Sequence, residues 1–388
     1  MATETASRLL GAGTVLDVLN RTAVDALLER AHREVDEGLL PGCQVALAMN
    51  GEVEVFESYG DATPDTRYVV FSCTKPIVAS AVWLLLAEGA VDLGEKVTTY
   101  LPGFGTNGKD VVTLEQVMVH TGGFPHAPMG PRHWGTHETR LERYGEWRLN
   151  WEPGTASAYH PSSAHWVLAD IVQAVTGTDY RTFVRDRISV PLGLPRMQLG
   201  VPDGEQGDIA PLLSVGDPMS DEEWKAATGN DRFDMGEVTQ ENLVAFNNPA
   251  ALAVGHPGGG LVSTAADLAL FYQALLHNPG GLWDAAILND ATSKIRHTMT
   301  DQTLMVVANR TLGLMIAGDD GLAAWRGMGR TASPRTFGHN GAGGEIAWAD
   351  PDTGLSFCYA TNGLDANLLR HGRRGVALSS RAAVTPQS

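Results

Sequence analysis

Hydrophobic and polar positions along this chain alternate between a helical and a two-residue period, and each change of period marks an element. Residues 23–35 (AVDALLERAHREV) collect their apolar side chains on one face with charges opposite, which predicts an amphipathic helix laid on a sheet. Residues 43–49 and 52–56 are strand-like runs separated by Asn50-Gly51, the strongest short hairpin signal a sequence offers. Residues 68–71 form a short apolar β-type run that ends at Ser72. From there the pattern turns into a long apolar helix through Ala81, Leu84, Leu85 and Ala87 to a stop at Gly89.

Beyond Gly89 the texture becomes helical and loop-rich. Residues 114–119 open a short helix that breaks at Thr121-Gly122-Gly123, and a loop rich in Pro, Gly, His and Trp follows to about Trp151. Residues 163–175 (SAHWVLADIVQAV) predict an amphipathic helix ending at Gly177. The acidic, glycine-rich stretch 203–240 reads as a surface excursion or a lid. Residues 264–277 predict a further helix, capped by Ser263 or Thr264. Residues 344–349 and 355–361 flank the turn Asp350-Pro351-Asp352-Thr353-Gly354 and predict a second hairpin, and residues 366–383 close the chain with a helix. Strands at both ends with helices between predict an α/β (α+β) fold: one antiparallel sheet flanked by helices, built from residues 15–88 and 290–388, with a mostly helical insertion over 89–289.

Composition narrows the function classes. A chain of 388 residues with 43% hydrophobic and 19% charged residues has a substantial core, and a net charge of -17 argues against nucleic acid or an anionic membrane as partner. Residues 1–20 lack a basic segment followed by an uninterrupted apolar core, and no apolar run approaches the length of a membrane span, so a cytoplasmic protein is inferred. Cys43, Cys73 and Cys358 are odd in number and scattered, which fits buried reduced thiols rather than a local zinc or redox site. The oligomeric state is left open, a homo-oligomer included.

Candidate chemistry starts at Ser72-Cys73-Thr74-Lys75. On a helix, positions i and i+3 share a face, so the Lys75 amine reaches the Ser72 hydroxyl while Cys73 points elsewhere. A serine hydroxyl becomes a nucleophile when a base takes its proton, and a lysine serves once burial and neighbours leave its amine neutral. Backbone N–H groups at the helix start would stabilise an oxyanion nearby. The four-residue motif alone is weak and needs partners. Those partners are Trp151-Glu152-Pro153-Gly154 leading to Tyr159-His160-Pro161, the run Gly338-His339-Asn340-Gly341-Ala342-Gly343-Gly344, and Val117 to Gly123, with Pro191 to Leu194 and Gly259 to Leu268 in support.

In that order these stretches resemble the serine β-lactamase-like superfamily, in its class C-like branch with the family VIII carboxylesterases, over roughly residues 40 to 365. The resemblance implies an acylated Ser72, Lys75 as its proton acceptor, Tyr159 as a phenol sharing proton transfer, and an oxyanion hole from the backbone N–H groups of Ser72 and Ala342. His339-Asn340-Gly341 takes the place of the family's K-T-G, and His339 and Gly341 line the substrate site by the same resemblance. The chain departs from the pattern twice. Pro161 stands where an asparagine amide orients the lysine, and His339 stands where a lysine supplies a fixed positive charge. Both departures favour neutral esters over β-lactams.

Other residues compete for attention. Trp134, Trp147, Trp151, Trp348 and Phe124 are candidates for an apolar substrate pocket, with core packing an equal alternative for the tryptophans. His120 reads as structural. His133 and His137 have metal-ligand spacing, but Gly135 lies between them and no carboxylate or cysteine completes a site, so no metal or cofactor is expected. No serine has the G-x-S-x-G flanks of a nucleophile elbow. The sequence therefore predicts a carboxylesterase-type serine hydrolase acting on a small-molecule ester. Acyl transfer, or amidase, D-aminopeptidase or β-lactamase activity, remains the alternative on the same fold.

Overall fold

The computed structural model describes residues 18–229, 231 and 236–387. The reading of residues 1–20 and of the domain start at residue 15 falls largely outside them, as do residues 230 and 232–235 of the acidic excursion. Helix α1 (Arg21–Asp36) is capped by Asn20, whose side chain accepts from the Ala23 N–H. Strands β1 (Gly42–Met49) and β2 (Glu52–Gly60) form the first hairpin. Its turn needs positive φ at both Asn50 (54°) and Gly51 (82°), which is why Asn-Gly marks it so clearly.

Helix α2 (Thr74–Ala87) follows the candidate nucleophile, α3 (Ser163–Thr176) crosses it, and α4 (Ala265–His277) lies on the sheet. Strands β3 (Met315–Ile316), β4 (Phe337–Asn340), β5 (Ile346–Asp350) and β6 (Leu355–Thr361) precede the final helix α5 (Leu368–Ala382). The sheet is antiparallel with order β2-β1-β6-β5-β4-β3, so the two ends of the chain meet at the β1–β6 pairing, where Val45 faces Tyr359.

Alternation along the strands divides small from large side chains. Ala46, Ala48, Ala347, Ala349, Cys358 and Ala360 face the core shared with α2 and α4, where short side chains let helices approach closely. Val45, Leu47, Trp348, Phe357 and Tyr359 face the core beneath α1 and α5. Helix α4 falls within 89–289, the range read as insertion, yet it belongs to the sheet layer. Its Gln273 donates to Ala48 O at 2.8 Å and to Ser356 Oγ at 3.0 Å.

The excursion carries structure of its own. A strand Leu213–Val215 pairs in parallel with Gly363–Asp365, and a helix Asp221–Thr228 starts with a Ser220/Glu223 capping box. Among the described residues no helix is long and apolar enough to cross a membrane.

Candidate active site

The apolar run before Ser72 is extended only over Tyr68–Val69, and Phe71–Cys73 forms a 3-10 turn that leads into α2. Phe71 has φ +41°, a left-handed conformation that costs a non-glycine residue energy, and this kink separates the short strand from the turn that carries Ser72. Residues after the kink obey the i, i+3 expectation. Lys75 Nζ lies 3.0 Å from Ser72 Oγ, while the Cys73 thiol turns away to the His339 carbonyl at 3.1 Å.

Lys75 is fully buried and held by two carbonyls, Pro161 O at 2.7 Å and Gly258 O at 2.6 Å. Burial first, and the Arg310 guanidinium second, drive its pKa well below the ordinary lysine value. A neutral amine has two N–H bonds and one lone pair. In that form the two carbonyls would take the N–H bonds, leaving the lone pair for the Ser72 hydroxyl. Pro161 thus supplies with its backbone an acceptor for the amine, although it has no side-chain amide. Ser162 plays no part in holding Lys75; its hydroxyl lies 2.9 Å from His256 Nε2.

Tyr159 comes from the segment before α3, and its hydroxyl donates to Ser72 Oγ at 2.8 Å. Its position is fixed by a buried ion pair: Asp301 Oδ1 accepts the Tyr159 N–H at 3.1 Å, and Asp301 Oδ2 accepts from Arg310 Nη2 at 3.0 Å. The Arg310 guanidinium lies 5.1 Å from the Tyr159 ring centre, and the Lys75 amine lies 5.0 Å from it. Burial nevertheless raises the phenol pKa, with the hydrogen bond to Ser72 and the charge of Arg310 opposing it.

His339 is buried beside this set, its ring 5.8 Å from Tyr159 and its Nδ1 2.9 Å from Asn340 O. Burial, then Lys75 and Arg310, push its pKa down to about 3, so it brings no charge to the site near neutral pH. The loop after β4 is tied by Glu345, whose backbone carbonyl accepts the Gly341 N–H at 2.8 Å and whose Oε2 accepts the Gly343 N–H at 3.1 Å. Burial pushes the Glu345 carboxyl up to about 8.

Ser72 and Ala342 together border two cavities. A groove of about 270 Å³ is lined by Tyr159, Arg310, His339 and Trp325, and a chamber of about 140 Å³ by Phe71, Trp134, Leu243 and Phe246. Trp134 and Gly341 therefore lie where the sequence analysis expects substrate, and so does His339. Trp348 and Phe124 do not. Trp348 is 0% exposed on the far face of the sheet, its indole donating to Ser379 Oγ at 3.3 Å, because strand parity sets it opposite Ala347 and Ala349. Phe124 is 0% exposed and packed among Phe104, Trp147 and His160. Trp147 and Trp151 also lie at this cluster, and neither borders the two cavities.

His120 accepts the His160 N–H at 2.9 Å inside the insertion. His133 Nδ1 lies 3.2 Å from Thr139 O, whereas His137 pairs with Asp170 at 2.8 Å, so the two rings serve separate local networks. Among the described residues no three His, Cys, Asp or Glu side chains converge as metal ligands. Arg310, Asp301 and Gly258 escape sequence reading, since Arg310 has no motif around it and Gly258 acts through its carbonyl.

A serine at a helix start, one turn from a buried lysine and set between an antiparallel sheet and a helical layer, defines a serine hydrolase of β-lactamase fold. The chain belongs to the Beta-lactamase family, which matches residues 24–380. It is 28% identical over 367 residues to the Esterase/beta-lactamase LipL of Mycobacterium tuberculosis, covering 86% of this chain and 80% of that one. A penicillin-binding protein homologue from Caulobacter crescentus superposes with a TM-score of 0.76 at 26% identity, covering 93% of this chain and 96% of that one. A family VIII carboxylesterase has the same fold, with a TM-score of 0.76 at 23% identity over 93% of this chain and 97% of that one.

Proposed function

We propose that the protein is a carboxylesterase-type serine hydrolase that cleaves neutral esters through an acyl-Ser72 intermediate. The observation that carries this reading is the Ser72 hydroxyl held within 3.0 Å of the Lys75 amine and 2.8 Å of the Tyr159 phenol, at a point open to two cavities. Lys75 takes the hydroxyl proton as Oγ bonds to the ester carbon, and the carbonyl electrons move onto the oxygen, which the Ser72 and Ala342 N–H groups receive. Collapse of that intermediate breaks the bond to the alcohol oxygen. The alcohol leaves with a proton from Tyr159, which Lys75 replenishes. Water then attacks the acyl carbon, its proton passes to the Tyr159–Lys75 pair, and Ser72 recovers a proton as the carboxylic acid departs.

A neutral His339 in place of a fixed cation favours uncharged esters over the carboxylate-bearing β-lactams. A cytoplasmic setting suits the same reading. The experiment is labelling with a fluorophosphonate probe, followed by chromogenic short-chain esters beside a chromogenic cephalosporin. Wild type labels and Ser72→Ala does not, and ester turnover exceeds lactam turnover; the opposite ranking would overturn the ester assignment. Addition of a primary alcohol tests the acyl-transfer alternative, which predicts a new ester at the expense of free acid.

A further inference from the structure

The two cavities are not equivalent with respect to the proton-transfer groups, and that asymmetry orients the substrate. Ser72 and Ala342 border both. Tyr159 borders the groove and not the chamber, and Lys75 is buried beneath them and borders neither. The bond that breaks joins the acyl carbon to the alcohol oxygen, and that oxygen has to receive a proton as it leaves. It therefore faces Tyr159, on the groove side. The carbonyl oxygen points to the N–H groups of Ser72 and Ala342, so of the four substituents on the tetrahedral carbon only the acyl chain remains, and the chamber is the space left for it.

Resting on the hydrolase reading above, we infer that the chamber walled by Phe71, Trp134, Leu243 and Phe246 is the acyl-binding site, which takes a compact uncharged acyl group of aromatic or branched aliphatic type, and that the groove takes a larger alcohol. The size follows from the volume. A cavity of about 150 Å³ lined by aliphatic and aromatic side chains holds benzene, and this chamber measures about 140 Å³. Phe246 packs 5.7 Å from Phe71 and 6.4 Å from Trp134, centre to centre, so the three rings form one continuous aromatic wall of that space. Of the polar groups at its wall, Ser162 is hydrogen-bonded to His256 at 2.9 Å, and the same imidazole accepts from Trp166 at 3.0 Å. Glu237 at its edge disfavours an anionic acyl chain. The groove is nearly twice as large, and at its mouth the Trp325 indole is 52% exposed, an apolar face for the alcohol.

The test separates acylation from deacylation. Once the alcohol has left, the acyl-enzyme carries only the acyl group, so a chamber substitution changes the deacylation rate by the same factor for every alcohol. Burst kinetics with p-nitrophenyl and 2-naphthyl esters of acetic, benzoic and octanoic acid read both steps. Phe246→Ala is expected to raise the octanoate-to-benzoate ratio of kcat/KM about tenfold, in line with the discrimination available from apolar pocket volume. Ala245 is exposed and borders the chamber, so Ala245→Phe fills it without disturbing a core and keeps the test valid if Phe246→Ala fails to fold; it is expected to lower benzoate relative to acetate about tenfold. Trp325→Ala should alter acylation by a factor that depends on the alcohol. Chamber variants that change only alcohol dependence, with Trp325→Ala changing acyl preference, overturn the assignment while leaving the hydrolase standing. Failure of every ester to acylate Ser72 removes the hydrolase reading and the assignment with it.

Discussion

At the scale of single residues, the proposed mechanism depends on an amine whose burial favours loss of its proton and a phenol whose burial favours keeping its own. In the proposed mechanism Lys75→Ala and Tyr159→Phe each remove a proton carrier, and each is expected to lower kcat/KM by at least about 10²-fold, measured on a short-chain chromogenic ester. The pH profile follows from the directions of the shifts. Lys75 titrates well below the usual lysine value, so activity rises as its proton is lost and then levels off; Tyr159 titrates above the usual tyrosine value, so the plateau extends into alkaline pH. An acid limb centred near the unperturbed lysine value of about 10.4 would mean that Lys75 stays charged in the free enzyme. The Ser72–Lys75 relation was readable in the sequence because helical spacing alone puts the two side chains together. The carbonyls of Pro161 and Gly258 were not, because a backbone acceptor leaves no mark in residue identity. Arg310 and Asp301 reach Tyr159 from the far side of the chain, where no local pattern points to them.

Elements hold these residues in register, and the loop between β4 and β5 does so with little room. A methyl at Gly341 would collide with Glu345 Oε2 and meet the Val70 carbonyl at 2.7 Å. Gly341→Ala therefore displaces the loop that carries Ala342, and a loss of about 10²- to 10³-fold in kcat is expected, the size seen when one oxyanion donor is removed. Glu345 beneath the loop has a folded pKa raised to about 8, so its stabilising contribution is full below its unfolded value and is lost as pH rises through about 8. Melting temperatures between pH 5 and 9 should fall more steeply for wild type than for Glu345→Gln. Identical slopes would mean that the carboxyl is not held protonated. Element positions were widely legible: the Asn50-Gly51 turn, the Asp350-Pro351 turn and the Gly177 stop all fall where turn chemistry sets them. Parity was not. Trp348 could face either way until the pairing of β5 with β6 fixed which side is which.

For the whole molecule, the sheet joins what the sequence separates, and a buried charge cluster secures the joint. Arg374 on α5 donates to Glu34 on α1 and, at 2.7 Å, to Asp365, which also pairs with Arg370. Burial works to raise the Asp365 pKa, and its hydrogen bonds from Arg370, the Asn367 N–H and Arg374 overcome it, leaving the carboxyl below its ordinary value. That contribution is present above the unfolded value of about 3.9 and fades as pH falls through the folded one. Arg374→Ala removes one cation from two buried carboxylates while leaving Asp365 to Arg370 and Glu34 to Arg30, and is expected to cost about 1–3 kcal/mol in denaturant unfolding.

The β1–β6 pairing also dictates when the protein becomes competent during its own synthesis. Translation delivers the serine and the lysine early, yet β1 has no neighbour at its inner edge until β6 has been made, and the loop bearing Ala342 arrives just before it. A ribosome stalled after α4 thus holds a chain with its nucleophile and no oxyanion pocket, and an activity-based probe should ignore such stalled chains while labelling released ones. On the proposed mechanism, reactivity is the last property this polypeptide acquires, which keeps Ser72 silent until folding is nearly done.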